Sequence, residues 1–266
     1  MNMTYEDILD SLEVRSGDII FLHVSFSRLR PYVSDPIDLI NRTLQRLGNT
    51  GTLCMPRYAW HVDPKSRPWK GYEIYLECLP IMDLRTTPAN IGVVPDHFWR
   101  IDGVEVSTSH FWPIAAIGPE ARNLVSDQQK IKHAYSDDSC FGRLTDWNAR
   151  LVGLGVTLNT TSLSPVVDYR IGHSIFTDPI PGRVIDSEGI EHRLSTHTLQ
   201  AKAVRDIKPS YVLQEYLHPG EDFPFCDLYG SYFFSYKAQL YMETAIKVLN
   251  DVRNVDGQLV PWMDCP

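Results

Sequence analysis

The chain of 266 residues predicts an α/β fold, a layered mixed β-sheet flanked by helices, on three observations. Three short apolar runs, IIFLHV (19–24), TLCMP (52–56) and RLVGLGV (150–156), have the continuous hydrophobicity of buried strands. Between the first two lies PIDLINRTLQRL (36–47), an amphipathic helix bounded by Pro36 and Gly48, which completes a βαβ unit. Polar residues gather directly after the strands, where such folds hold ligands.

The remaining elements follow in order. TYEDILDSLE (4–13) has a Thr cap, early acids and helical spacing. Residues 61–90, rich in Pro, Trp and Tyr, read as a long loop. A helix is expected over 92–100 and a strand over 113–118. From about residue 173 the pattern alternates, and DSEG (186–189) marks a hairpin. YKAQLYMETAIKVLNDV (236–252) closes the chain as a helix, followed by a tail. We read one domain over 1–266, with a core over about 15–170 and a β-rich C-terminal elaboration over about 173–266.

Composition narrows the function. Five dispersed cysteines without a C-x-x-C pair suit a reducing cytoplasm and offer no zinc site, so no metal is expected. The acidic N-terminus is unlike a signal peptide, and no apolar run approaches the roughly 20 residues that cross a bilayer. A net charge of -8 without a basic cluster argues against nucleic acid. Neither a G-x-G-x-x-G, a P-loop nor a G-x-S-x-G elbow occurs.

Several stretches carry groups that do chemistry, each with a bland counterpart. His23 and Ser25 stand at the exit of the first strand, either facing a ligand or filling a core and starting a turn. TTPANIG (86–92) leads into a helix, as a ligand site or a cap. SDDSCFGRL (136–144) has the groups to bind phosphate, or simply caps a helix. His110 has aromatic neighbours, and His173 follows Asp168 by five residues; a structural role is the bland answer for both. LVGLGVTLNTTSLSPVVD (151–168) supplies more polar side chains than a turn requires.

In order, SGDIIFLHVSFSRL, LQRLGNTGTLCMPRYAW, TTPANIGVVPDHFWRIDGVEVSTSH, PIAAIGPEA, SCFGRL and RLVGLGVTLNTTSL resemble the aminoglycoside 3-N-acetyltransferase family over about residues 15–170. That resemblance implies an N-acyltransferase that uses acetyl-coenzyme A, or another acyl-coenzyme A, and an amino sugar, with no metal. Carried over by motif, His23, Ser25 and Phe26 flank the thioester. Thr87, Pro88 and Gly92 line the adjoining wall, and Ser139, Phe141, Gly142 and Arg143 hold the pantetheine and phosphate end. Tyr58, Trp60, Asn159, Thr161 and Ser164 are expected to face the acceptor, in a cytoplasmic monomer or homodimer.

The sequence departs from the family at the base. After the L-G-V strand the family has L-H-x-A-E, whose histidine position falls here on Pro165, or on Ser164 if the loop slips by one, and whose glutamate position falls on Asp168. Where the family has R-S-x-H-P, strict register puts Ser109 on the histidine, and His110 matches after a one-residue deletion. The base is thus either His110 or Asp168, or the amine loses its proton to water. The acceptor is an aminoglycoside or a nucleotide-linked amino sugar, whose diphosphate Arg57, Lys65, Arg67 and Lys70 would meet. A hydrolase using Cys140 or Ser164, and a binding protein without turnover, are the competing classes.

Overall fold

The computed structural model describes residues 3–58, 82–160, 162–172, 176–199, 212–228 and 230–254. Helix α1 (Tyr5–Ser11) opens with a reciprocal cap, in which Thr4 and Asp7 satisfy each other's backbone N–H groups. Strand β1 (Ile19–Val24) leads through the single-turn α2 (Phe26–Leu29) to α3 (Pro36–Leu47). The Asp35 carboxylate accepts from the Ile37 and Asp38 amides at the start of α3, and Gly48 ends it at φ 65°. Strand β2 (Thr52–Pro56) then returns parallel to β1, completing the expected βαβ unit.

Next come β3 (Met82–Asp83), α4 (Val93–Phe98), β4 (Glu105–Val106), β5 (Ile114–Ile117), α5 (Ala121–Val125) and α6 (Cys140–Asp146). They are followed by β6 (Arg150–Leu154), α7 (Ser164–Arg170), β7 (Ile180–Ile185) and β8 (Glu191–Thr196). A π-helical turn (Val212–Tyr216), β9 (Phe225–Asp227), β10 (Tyr232–Lys237) and α8 (Ala238–Asn254) complete the described chain.

The main sheet has seven strands in the order β4-β5-β2-β1-β6-β10-β9. Its centre, β2-β1-β6, is parallel, and every outer pairing is antiparallel. Alternating side chains build a core on each face. Phe21, Cys54, Leu151 and Phe234 pack with α5, α6, α7 and α8 on one side. Ile20, Leu22, Leu53, Val152 and Phe233 pack with α1, α3 and α4 on the other.

The hairpin foreseen around DSEG is β7–β8, with Asp186 Oδ1 accepting from the Glu188 and Ile190 amides across the turn. It belongs to a second sheet, β3-β7-β8. The C-terminal part is also integral to the main sheet, since β10 pairs along all of β6. The helix expected from Tyr236 starts at Ala238, because Tyr236 and Lys237 remain in β10. Of the stretch expected as loop, residues 82–90 are described and supply β3.

Candidate functional site

The exits of β1, β2 and β6 lie side by side because these strands are parallel neighbours. Ser25 follows β1 directly and donates its amide to the Leu154 carbonyl at the end of β6, at 2.9 Å. The His23–Ser25–Phe26 segment therefore adjoins the start of the polar stretch after Gly155. Ser25 stands at the N-cap position of α2 without a capping bond; its hydroxyl lies 3.3 Å from that of Ser27.

His23 shares the face of Phe21, whose ring meets its imidazole edge-on at 4.7 Å. Its Nε2 is buried without a hydrogen-bond partner, and burial lowers its pKa to about 4. The ring is therefore neutral at pH 7. Phe141 stands beneath, 6.2 Å from Phe21, in the core and not at the surface.

The wall expected from Thr87, Pro88 and Gly92 is tied to the exit of β2. Arg57 Nη2 donates to the carbonyls of Leu84 (3.0 Å) and Thr87 (2.6 Å), and the Asn90 amide donates to the Tyr58 carbonyl (3.0 Å). Thr87 is buried, whereas Pro88 and Gly92 are exposed. Gly92 has φ 140° and precedes α4. Arg57 is completely buried, so a diphosphate role for it is overturned: its guanidinium is turned into the fold. Lys65, Arg67 and Lys70 lie outside the described residues.

At the start of α6 the cap reading fits the geometry. Ser139 accepts the Gly142 amide (3.2 Å) and donates to the Ser136 carbonyl (2.6 Å). Arg143 Nη1 donates to the carbonyls of Asn123, Leu124 and Ser126 at the end of α5. This cluster joins α5 to α6, and the Arg143 Nη1 donor is occupied by protein carbonyls.

The polar stretch after β6 is partly helical, which the sequence reading did not foresee. Pro165 lies in the first turn of α7, where its missing N–H costs nothing, and Gly172 follows the helix at φ 68°. A Pro near the start and a Gly just past the end of SPVVDYRIG were the available signal. Ser164 and Asp168, four residues apart, share one face of α7, and both are buried. Tyr58 is half-buried with its ring 4.9 Å from Trp112, and Asn159 is exposed. Trp60, Thr161 and His173 lie outside the described residues.

His110 precedes Phe111, which packs in the core with α7, and its imidazole lies against the backbone of Gly182 in β7. A Cβ on Gly182 would sit 2.3 Å from His110 Cδ2. Neither buried ring nitrogen makes a well-formed hydrogen bond, and the Ile180 backbone is a polar group that bears on the ring. Burial lowers its pKa to about 4, outweighing an opposing influence of the Ile180 backbone. Cys140 is buried, donates toward the Leu124 carbonyl and has its thiol pushed up to about 12 by burial, which removes it as a nucleophile. Among the described residues no group of three or more His, Cys, Asp or Glu could hold a metal ion. No described helix is long and apolar enough to cross a membrane.

These burials predict acid sensitivity with a definite sign. A histidine held near pKa 4 in the fold and near 6.5 in the unfolded chain binds more protons when unfolded, so stability falls as pH drops from about 6.5 to 4. Denaturant midpoints at pH 7 and pH 5 should differ, and His110→Phe should reduce the difference by about 2 kcal/mol. An unchanged difference would contradict burial of a neutral ring.

Comparison with known proteins identifies the family and the fold. A family model described as aminoglycoside 3-N-acetyltransferase matches residues 21–217. Aminoglycoside N(3)-acetyltransferase IV from Salmonella sp. is 34% identical over 155 residues, 57% of this chain. The match spans about half of that relative, 52% of its length. The fold is similar to that of an aminoglycoside acetyltransferase AAC(3)-IVa variant in complex with a gentamicin (TM-score 0.71, 20% identity, 94% of this chain and 90% of that one). It is also similar to AAC-IIIb in a binary complex with CoASH (TM-score 0.71, 18% identity, 93% of this chain and 96% of that one). With the family pattern matched across β1, β2, β5, β6 and the loops between them, the chain belongs to the aminoglycoside 3-N-acetyltransferase family.

Proposed function

We propose that the protein transfers an acetyl group from acetyl-coenzyme A to an amine of an aminoglycoside-type amino sugar. The observation that carries this reading is the family match over 21–217, which includes both the β1 exit with His23 and Ser25 and the α7 segment with Asp168. Relatives of this fold solved with CoASH and with a gentamicin support the two ligand classes.

The amine attacks the thioester carbon, the carbonyl oxygen takes up negative charge, and as the tetrahedral adduct collapses the C–S bond breaks and the coenzyme A thiolate takes up the proton that the amine has given to the base. His23, Ser25 and Phe26 flank the thioester, and polar donors at the strand exits stabilise the oxyanion. Thr87, Pro88 and Gly92 form the adjoining wall. The α6 start, with Ser139, Phe141, Gly142 and Arg143, supports the donor end indirectly, by fixing the loop before it.

Asp168 takes the amine proton. By motif count it falls at the acidic position of the family pattern, on the helix whose first turn carries Ser164 and Pro165, one of which stands where the family has its histidine. His110 is the poorer candidate on geometry: its imidazole is packed against the backbone of Gly182 in β7, away from the motif position of the family base. Tyr58, Asn159 and Ser164, with Trp60 and Thr161, line the acceptor side.

The acceptor follows from charge. A polycationic aminoglycoside suits a chain of net charge -8, and the buried Arg57 is withdrawn from any diphosphate. Calorimetry at low and high salt separates the two acceptor types. We expect an aminoglycoside to bind and to weaken several-fold as salt rises, and a nucleotide-linked amino sugar to bind at least tenfold more weakly. Tighter binding of the nucleotide sugar would reverse the assignment.

A further inference from the structure

We infer that Arg57 is a positioning residue for the acyl donor: it locks the 84–90 loop against the exit of β2, setting the wall that receives coenzyme A. The inference rests on the proposed reading that Thr87, Pro88 and Gly92 line the donor site.

Arg57 follows Pro56, the last residue of β2, and donates its amide to the Pro113 carbonyl at 2.8 Å, continuing the ladder with β5 by one rung. Its side chain is completely buried. One nitrogen, Nη2, bridges two loop carbonyls, those of Leu84 and Thr87. The guanidinium carbon stacks on the Trp99 ring, 4.2 Å from its centroid. The same indole donates to Asp96 Oδ1 at 3.0 Å, and that oxygen also accepts the Ala89 amide at 2.8 Å. The 84–90 segment is thus held from the β2 side by Arg57 and from the α4 side by Asp96, with Trp99 joining the two anchors.

Such an arrangement is unfavourable for a protein that needs only stability. Nε and Nη1 of Arg57 are buried without hydrogen-bond partners, and the Asp96 and Asp83 carboxylates offset the burial of its charge only in part. Burial lowers its pKa only to about 10, so it remains a cation at pH 7. An apolar side chain of similar length would fill the space without burying a charge. What it would lose is the bridge that spans Leu84 and Thr87 and fixes their separation.

The loop does not fix itself. Asp83 accepts the Thr86 and Thr87 amides through its carbonyl and holds Arg85 through its carboxylate, which shapes the turn without anchoring it to β2. Without Arg57 the turn survives, and the backbone bond from the Asn90 amide to the Tyr58 carbonyl still holds the far end of the segment, but the Leu84 and Thr87 carbonyls lose the bridge that sets their distance from β2. A wall displaced by about 1 Å would be felt by the donor and not by the acceptor.

The test is steady-state kinetics with acetyl-coenzyme A and an aminoglycoside, on the full chain and on Arg57→Lys and Arg57→Met, with coenzyme A binding measured alongside by calorimetry. We expect Arg57→Met to raise KM for acetyl-coenzyme A about tenfold, with kcat at saturating donor and KM for the acceptor within about twofold. Arg57→Lys, which keeps the charge but loses the planar group that bridges and stacks, should fall between the two. Donor KM unchanged in a folded Arg57→Lys protein, or kcat falling in proportion to folded fraction with both KM values constant, overturns the inference. If Arg57→Met does not fold, Arg57→Lys decides alone. Failure of the unmodified protein to bind coenzyme A would instead sink the acyltransferase reading.

Discussion

Replacing Asp168 with Asn should lower kcat by about 10² to 10⁴ while leaving the fold intact. The exchange keeps size and shape in the buried α7 face and removes the ability to accept a proton. Loss of a positioned base is worth about that factor. Because the step lost is deprotonation of the amine, the variant should recover activity as pH rises toward the amine's own pKa. The check is kcat against pH for both proteins, with circular dichroism to confirm folding. A folded Asp168→Asn protein of undiminished activity would leave water as the proton acceptor. If His110→Phe abolished turnover instead, the base would be His110.

Gly142→Ala should destabilise the protein by about 3 kcal/mol, the largest effect we expect for one added methyl group. A Cβ there would sit 2.3 Å from the Ser136 carbonyl oxygen and 2.4 Å from that of Asp137. Both are backbone atoms of the loop that Ser139 fastens to the start of α6, so neither can rotate away. For a chain of this size the shift corresponds to a fall in melting temperature of roughly 6 to 12 °C. A melting temperature within about 1 °C of the parent would mean that the loop does not seat against the α6 backbone.

Much of the fold was legible where local pattern and tertiary demand coincide. Pro36 and Gly48 bracket α3 as foreseen, and the three apolar runs became β1, β2 and β6 because each is buried on both faces. Legibility failed where a strand is written in aromatic residues: YFFSYK becomes β10, and its last two residues had looked like the start of a helix. Pairing with β6 decides that segment, and no local period reveals a partner so distant in the chain.

For the site, motif order located the strand exits, but sequence could not tell a ligand-facing group from one facing the protein. Ser139 and Arg143 carry phosphate-binding chemistry and use it at the α5–α6 joint. Arg57, expected as a cation for an acceptor's diphosphate, is a buried bridge. The α7 helix was hidden by its many hydroxyl neighbours, although Pro165 and Gly172 bracket it.

The most direct measurement is the appearance of free thiol when the purified protein is mixed with acetyl-coenzyme A and a panel of aminoglycosides and nucleotide-linked amino sugars. The account predicts thiol release with at least one aminoglycoside, stoichiometric with acetylated amine and strongly reduced in Asp168→Asn. Thiol release with no acceptor in the panel, together with tight coenzyme A binding, would contradict it and leave a binding protein that has lost its base.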